Sequence, residues 1–366
     1  MANLDCLRAV AVGLVFSGHL LATMRIRGSG DIGHFGVLLF FVHTSLVLMM
    51  SMERLGLSRR KLYATFMIRR IFRIYPLNIL CVIAVVTFRI PSTSWLGGYR
   101  WDGWSTLISN VFLTQNLTQS RSVDCVLWSL PFEMQMYAIL PLLFGWALRL
   151  RSLAGLTCIW LAAAMIAGSE YNIRSGSSTT DFLLVRYFPC FVAGAIAWWL
   201  LRTRERHFPG WAWPIFLILL VLLYRLVDAL RVYGPGTLMA ARGSLRNDQL
   251  IWWPPYFDLV RDWLFCAVTG LTIPLCFEIR SRWITSASNG IARYSYGIYV
   301  SHVPILWLCF VWLPIGPPLV NAVIAVLLTT AVSMLLYHSL EDPAIRIGKR
   351  LATRLVRGHV HSLEFS

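Results

Sequence analysis

Charged residues are scarce in this sequence. Only 14% of its 366 residues are Asp, Glu, Lys or Arg, whereas soluble globular chains carry about 25%. Hydrophobic residues make up 57%, and the mean hydropathy is +0.63. The shortfall of charge extends along the whole chain, which is a series of apolar blocks long enough to cross a membrane. This composition excludes an ordinary soluble enzyme and predicts an all-α polytopic membrane protein.

Paired cysteine motifs are also missing, and the first apolar block lacks the pattern of a cleavable leader. The eight cysteines stand singly, without the spacing of a metal site. We therefore interpret them as packing residues and expect no metal. The first apolar block contains Arg8 and His19 and lacks a small-residue cleavage site, so it is expected to remain as the first span. We expect residues 1–350 to form one membrane domain without an appended soluble domain, and residues 351–366 to form a basic cytoplasmic tail.

Positive charge exceeds negative charge by 16, but it is spread along the chain. All of the 33 cations except Lys61 and Lys349 are arginine, and many lie in short segments between apolar blocks. Such a distribution indicates membrane topology rather than nucleic-acid binding, because cations are retained on the cytoplasmic side. Alternate segments on the side of the N-terminus hold 21 of the 33. Both termini are therefore predicted to be cytoplasmic.

Apolar blocks of roughly 17 to 25 residues predict about ten transmembrane helices. These blocks lie at 7–23, 34–52, 74–90, 128–148, 152–168, 182–201, 211–229, 257–278, 296–313 and 317–340. Residues 104–117 are too few and too polar to span, so an interfacial or re-entrant helix is predicted there. The two longest loops, 91–127 and 230–256, fall on the predicted exterior side. Their aromatic residues are interpreted as membrane anchors or as a sugar-stacking surface.

Two ionisable residues of the first span share one helix face. Arg8 and His19 are eleven residues apart, which at about 100° per residue leaves them about 20° from alignment. The helical rise separates them by about 16 Å, so Arg8 is expected at the cytoplasmic surface and His19 near mid-membrane. An ionisable group at that depth indicates a functional site, or a structural histidine bonded to a neighbouring helix.

Two arginines and one carboxylate lie at the ends of later spans. Arg70 and Arg73, just before the third span, are three residues apart and share a face. Two guanidiniums so placed can grip a phosphate, although the positive-inside rule alone also places arginine there. Glu133 opens the fourth span, with Tyr137 one turn later. A carboxylate at this position needs a partner on another helix, or is a helix-start charge at the exterior interface.

A stripe of polar side chains runs along the first part of the ninth span. Ser295, Tyr299 and His302 are spaced by four and three residues and therefore lie on one helix face. Polar side chains inside a membrane join helices through hydrogen bonds or carry chemistry, and packing is the simpler interpretation of these three.

Together these segments resemble the acyltransferase-3 family of integral membrane acyltransferases, over residues 4 to about 351. Five motifs of the family occur in order on the predicted spans. They are Leu4-Asp5-Cys6-Leu7-Arg8 with His19, Arg70 to Pro76, Trp128 to Tyr137, Ser295 to Pro304, and Glu341-Asp342-Pro343. The chain departs from the family pattern at Cys6, where glycine is common, and at Met134, where a second glutamate often follows Glu133. A segment Leu-Ser-Gly-Phe of the second span is replaced by residues 43–46.

The resemblance implies transfer of an acyl group, acetyl above all, from cytoplasmic acyl-CoA to a hydroxyl of a carbohydrate such as a surface polysaccharide or lipo-oligosaccharide. The implied location is the bacterial inner membrane. Arg8, Arg70 and Arg73 would bind the CoA phosphates. His19 would act as general base or acyl carrier, and Glu133 would hold the protonation state of His19 or position the acceptor. Supporting roles fall to Asp5, Trp128, Tyr137, Tyr299 and His302.

A different class of protein also fits ionisable residues along a membrane path. The alternative is a transporter or flippase of a glycan or small molecule. Many transporters are built from related halves, whereas Arg8 and His19 have no counterpart in the second half of this chain. The sequence therefore favours the acyltransferase.

Overall fold

The computed structural model describes residues 1–26, 30–93, 98–150, 152–173, 183–233 and 257–363. These residues form α-helices joined by loops and short 3₁₀ or π-helical turns, and the described ranges contain no β-strand. The helices are α1 (Ala2–Thr23), α2 (Gly30–Leu55), α3 (Arg59–Thr87), α4 (Gly103–Phe112), α5 (Leu130–Leu150), α6 (Leu153–Ile173), α7 (Leu184–Thr203), α8 (Ala212–Tyr233), α9 (Phe257–Thr272), α10 (Arg282–Trp307), α11 (Pro318–Leu336) and α12 (Asp342–Leu363). The predicted all-α class is confirmed.

Eight helical segments of the described chain are long and apolar enough to cross a membrane. They correspond to eight of the ten predicted spans. The predicted span 152–168 corresponds to α6, whose apolar part is Leu153–Ser169, and the predicted span 257–278 to the 16-residue α9. The protein is therefore an integral membrane protein, while the count of ten and the cytoplasmic side of the termini stay predictions.

Helix α1 packs against α2 and α10, and it meets α2 at backbone distance. A Cβ atom at Gly36 of α2 would lie 2.6 Å from the carbonyl oxygen of Ala11, so a larger residue does not fit there. Small residues allow this approach between membrane helices, which are held together by packing rather than by the hydrophobic effect. The contact fixes which faces of α1 and α2 turn towards the predicted site residues of the other helices.

Helix α3 begins earlier than the apolar pattern predicts. Its first residue is Arg59, whereas the third span was expected from residue 74. Arg70 and Arg73 therefore lie about 16 and 21 Å inside one continuous helix, while their position relative to the membrane stays a prediction. Arginine ends an apolar window, but it is a good helix former. Helix α12 packs along this part of α3, where Gly348 contacts Phe72.

Of the remaining predictions of organisation, the helix near residues 104–117 is present in the described part of the chain. It is α4 (Gly103–Phe112), and Asn78 of α3 donates a 3.0 Å hydrogen bond to its Asn110 carbonyl oxygen. Its depth in the bilayer stays a prediction. Residues 94–97 and 234–256 of the two long predicted loops lie outside the described residues. Helix α12 continues through the predicted domain boundary at 350/351 without a break.

Candidate functional site

One open cavity, which we name the arginine cavity, brings most of the predicted site residues together. It lies between α1, α2, α3, α5 and α10 and has a volume of about 690 Å³, counting the part that is open to solvent. The predicted site residues that line it are Arg8, Arg70, Arg73, Glu133, Tyr137 and Tyr299. Four helices from separate parts of the chain, α1, α3, α5 and α10, thus place these side chains around one space, while the role of each side chain stays a prediction.

Positive charge dominates the arginine cavity. Nη2 of Arg73 lies 3.5 Å from Oε1 of Glu341, whose side chain is fully buried. Glu133 is the second carboxylate at this site. Three guanidiniums therefore face two carboxylates, which leaves one positive charge uncompensated among the described residues. Nε of Arg8 and Nε of Arg70 are also buried without a hydrogen-bond partner there. Buried donors without acceptors are costly, so the cavity favours an anion with several oxygens.

Glu133 is oriented from its own helix. The buried hydroxyl of Tyr137, one turn later on α5, donates a 2.8 Å hydrogen bond to Oε2 of Glu133. Although Glu133 is only the fourth residue of α5, its side chain lines the same cavity as Arg8 and Arg73 of two other helices. The geometry fits a carboxylate facing cations better than a charge at an exterior interface.

His19 lies outside the arginine cavity and pairs with His302. Carbonyl oxygens only accept, so Nδ1 of His302 donates to the Tyr299 and Ile298 carbonyl oxygens, at 2.8 and 3.0 Å. Nε2 of a neutral His302 is then an acceptor, and Nδ1 of His19 donates to it at 2.7 Å. This order of donors leaves the lone pair of a neutral His19 on Nε2. His302 thus selects the tautomer of His19 that can take a proton through Nε2.

The shared face of Arg8 and His19 is confirmed. Both side chains face α10, because Arg8 lines the cavity with Tyr299 and His19 contacts His302. Along α1, Arg8 lies about 9 Å after the first residue and His19 about 6 Å before the last. Their depths in the membrane stay predictions.

Two predicted supporting residues besides His302, namely Asp5 and Trp128, do not line the arginine cavity. Oδ2 of Asp5 lies 3.9 Å from the N-terminal amino group, near the start of α1. The ring of Trp128 packs against the rings of His34 and Tyr187, with 5.9 and 5.4 Å between ring centroids. The Trp128 ring therefore packs against His34 and Tyr187 and does not face the three arginines.

The sequence analysis missed two ionisable residues at this site. His43 of α2 is buried and lines the arginine cavity. A histidine inside the apolar second span was the available signal. Glu341, part of the closing motif, reaches Arg73 from the π-helical turn before α12. No local pattern in the sequence predicts that contact.

Comparison with known proteins places the chain in a family. The profile of the acyltransferase-3 family, described as "Acyltransferase domain", matches residues 1–338. The chain belongs to this family. The resemblance drawn from the five motifs is therefore confirmed.

The chain is also similar to a curated protein of Bacillus subtilis (strain 168) described as "Putative peptidoglycan O-acetyltransferase YrhL". The two are 26% identical over 392 residues, a match that covers 98% of this chain and 57% of that protein. This chain thus spans little more than half the length of its relative. No solved structure gives a significant match.

Proposed function

We propose that this protein transfers an acyl group, acetyl above all, from acyl-CoA to a hydroxyl of a carbohydrate, in the bacterial inner membrane. The observation that carries the proposal is the arginine cavity. Its excess positive charge and its unpartnered Nε atoms on Arg8 and Arg70 match a ligand rich in anionic oxygens. The phosphates of CoA are such a ligand, and family membership supports acyl-CoA over other anions.

The three arginines have separate parts in donor binding. Arg70 and Arg73 share a face of α3 and present two planar forks to the phosphates, while Arg8 approaches from α1. Arg73 is held by the buried Glu341, so its guanidinium is fixed before the donor arrives. Pre-organised cations lose less conformational entropy on binding than free surface arginines do.

His19 is the group that meets the thioester. Pantetheine is a long thin arm, and His19 lies about 16 Å along α1 from Arg8. Through Nε2, His19 takes the proton of the acceptor hydroxyl as general base, or attacks the acyl carbon and carries the acyl group transiently. In either route the thioester C–S bond breaks, the ester C–O bond forms, and the hydroxyl proton ends on the CoA sulfur. Glu133 holds the protonation state of His19 or positions the acceptor.

The acceptor is assigned to the carbohydrate class. The relative's name refers to O-acetylation of peptidoglycan, which supports a glycan hydroxyl as acceptor, although this chain spans 57% of that protein. No observation in the structure favours a transporter, whose related halves would repeat the pair of Arg8 and His19.

The test is mass spectrometry of surface glycans from cells with and without this protein. The expected result is a mass difference of one acyl group, which identifies the acyl chain and the acceptor together. Cells expressing Arg350→Ala, a change at an exposed arginine outside the arginine cavity, serve as the matched control and should acylate normally. Identical glycans with and without the protein would reject the function.

A further inference from the structure

A second cavity, which we name the His34 cavity, lies next to the first. Its volume is about 760 Å³, counting the part that is open to solvent. It is lined by His34 of α2, Gln115, Asn116, Trp128 and Arg186, together with Ser120, Ser122, Phe132 and Tyr187. At two places in the chain, two consecutive residues line different cavities. Trp128 and Phe132 line the His34 cavity, whereas Ser129 and Glu133 line the arginine cavity. The helical segment at the start of α5 therefore separates the two cavities.

The crossing of α1 and α2 places His34 at the level of His19. A Cβ atom at Gly33 would lie 3.8 Å from Cα of Gly18, so these two glycines face each other across the two helices. His19 follows Gly18 and His34 follows Gly33 in the chain. His19 turns towards α10, and His34 turns towards α9. The His34 cavity thus lies at the depth of the proposed base, one helix away from it.

His34 is held in one tautomer by a buried carboxylate. A carboxylate only accepts, so Nε2 of His34 donates to Oδ2 of Asp262, at 2.9 Å. Oδ1 of Asp262 accepts from the Tyr224 hydroxyl at 3.1 Å and from Nε of Arg261 at 3.2 Å. The side chain of Asp262 is 3% exposed. With Nε2 protonated, a neutral His34 keeps its acceptor lone pair on Nδ1. Asp262 is a positioning residue that acts through His34.

Gln115 supplies a second hydrogen-bond acceptor, Oε1, which has no donor among the described residues. Its residue is 2% exposed, and its Nε2 donates a 3.0 Å hydrogen bond to the Leu127 carbonyl oxygen. Its Oε1 is buried and has no hydrogen-bond partner among the described residues. Leaving a buried acceptor unpaired costs roughly 1 to 3 kcal/mol, so a ligand that donates a hydrogen bond here is favoured. Nε2 of the amide is therefore fixed by its hydrogen bond, while Oε1 is left to accept a hydrogen bond from a ligand.

These features fit a molecule that carries several hydroxyl groups. A hydroxyl donates to a histidine nitrogen or an amide oxygen, and the rings of Trp128 and Tyr187 give an apolar wall for the C–H faces of a sugar. We propose that the His34 cavity binds the carbohydrate acceptor, with one hydroxyl donating to Nδ1 of His34 and another to Oε1 of Gln115. This inference rests on the proposed function. A site built to pair hydroxyls rejects analogues that lack them, so it also selects the acceptor.

Two variants separate acceptor binding from a structural role of His34. His34→Gln keeps a side-chain N–H that can reach Asp262 but lacks an acceptor in place of Nδ1. Ser122→Trp fills the cavity without touching the Asp262 contacts. In cells that contain the native acceptor, both should lower acylation of surface glycans at least tenfold, as measured by mass spectrometry. Affinity for acetyl-CoA and abundance in the membrane should equal those of the wild type. His207→Gln changes an exposed histidine outside both cavities and is the matched control.

The outcomes are distinguishable. If the wild type acylates glycans and both variants acylate them equally well, the His34 cavity does not hold the acceptor. If His34→Gln loses acetyl-CoA affinity or abundance along with acylation while Ser122→Trp acylates normally, His34 is structural and the inference is wrong. If the wild type adds no acyl group to any glycan, the proposed function itself fails, and this inference fails with it.

Discussion

The arginine cavity and the His34 cavity offer opposite kinds of hydrogen-bonding group. The arginine cavity presents guanidinium donors, and Nε of Arg8 and Nε of Arg70 are buried without an acceptor among the described residues. The second presents the acceptors Gln115 Oε1 and His34 Nδ1 beside aromatic rings. Donors suit phosphate oxygens, and acceptors suit hydroxyls. The difference indicates how one membrane domain can keep a charged donor and a neutral polyol in separate sites.

The largest effect on glycan acylation is expected at His19, which lines neither cavity and is the proposed base or acyl carrier. His19→Ala should abolish glycan acylation while acetyl-CoA still binds through the arginines. His19→Asn should be inactive as well, because an amide cannot take a proton, although its amide N–H can replace the Nδ1 donor to His302. Glycan acylation and membrane abundance are measured for both variants. An active His19→Asn protein of normal abundance would make His19 a structural residue.

The next largest effect is expected in the arginine cavity, where the affinity for the acyl donor acetyl-CoA should change. Arg70→Ala removes a charge-assisted phosphate contact of ~1.5 to 3 kcal/mol, a loss of roughly ten- to hundredfold in acetyl-CoA affinity. Arg73→Ala should lose as much, and Arg73→Lys should recover part of it, because lysine keeps the charge without the fork. Isothermal titration calorimetry of the purified protein measures the affinities.

The controls for the arginines come from the same chain. Arg350→Ala, on the exposed face of α12, should bind acetyl-CoA like the wild type. Arg73→Ala also leaves the buried Glu341 without its cation, so Arg70→Ala is the cleaner variant. Wild-type affinity for acetyl-CoA in both Arg70→Ala and Arg73→Ala would mean that these arginines only set the topology.

The smallest effect is expected at Asp124, which precedes α5 and lies two residues along the chain from Ser122 of the His34 cavity. Asp124 is 1% exposed, and burial raises the pKa of its carboxyl to about 7, although the Val126 N–H donates to Oδ1 at 3.2 Å. Its Oδ2 has no partner among the described residues. A raised pKa in the folded state means that the stabilisation is present below the unfolded pKa and is lost as pH rises through about 7.

Asp124→Asn tests this pH dependence. Asparagine keeps an acceptor for the Val126 N–H but does not titrate in this range. Between about pH 5 and about pH 8, the Tm of the wild type should therefore fall relative to that of Asp124→Asn in the same detergent. A constant difference in Tm across this range would show that the carboxyl keeps one protonation state.

Residues that belong to local motifs were predictable from the sequence. Arg70 and Arg73 are three residues apart, and Glu133 and Tyr137 are four apart, so helical periodicity alone puts each pair on one face. The family motifs then supplied what periodicity cannot, namely that these faces turn towards one another. The structure places all four side chains around the arginine cavity.

Contacts between distant parts of the chain were not predictable in this way. His34 and Asp262 lie on α2 and α9, and nothing in the sequence near either residue refers to the other. The early start of α3 was missed for a different reason. Hydropathy detects what lies in lipid, whereas helix formation depends on backbone propensity, which arginine satisfies.

The central claim is that the arginine cavity recognises the phosphates of acyl-CoA. It is tested most directly by comparing the affinities of the purified wild-type protein for acetyl-CoA and for acetyl-pantetheine, which carries the same thioester arm without phosphates. Acetyl-CoA should bind at least a hundredfold more tightly, because several charge-assisted contacts are lost together, and Arg70→Ala should narrow the difference. Equal affinities of the wild type for the two compounds would contradict the account.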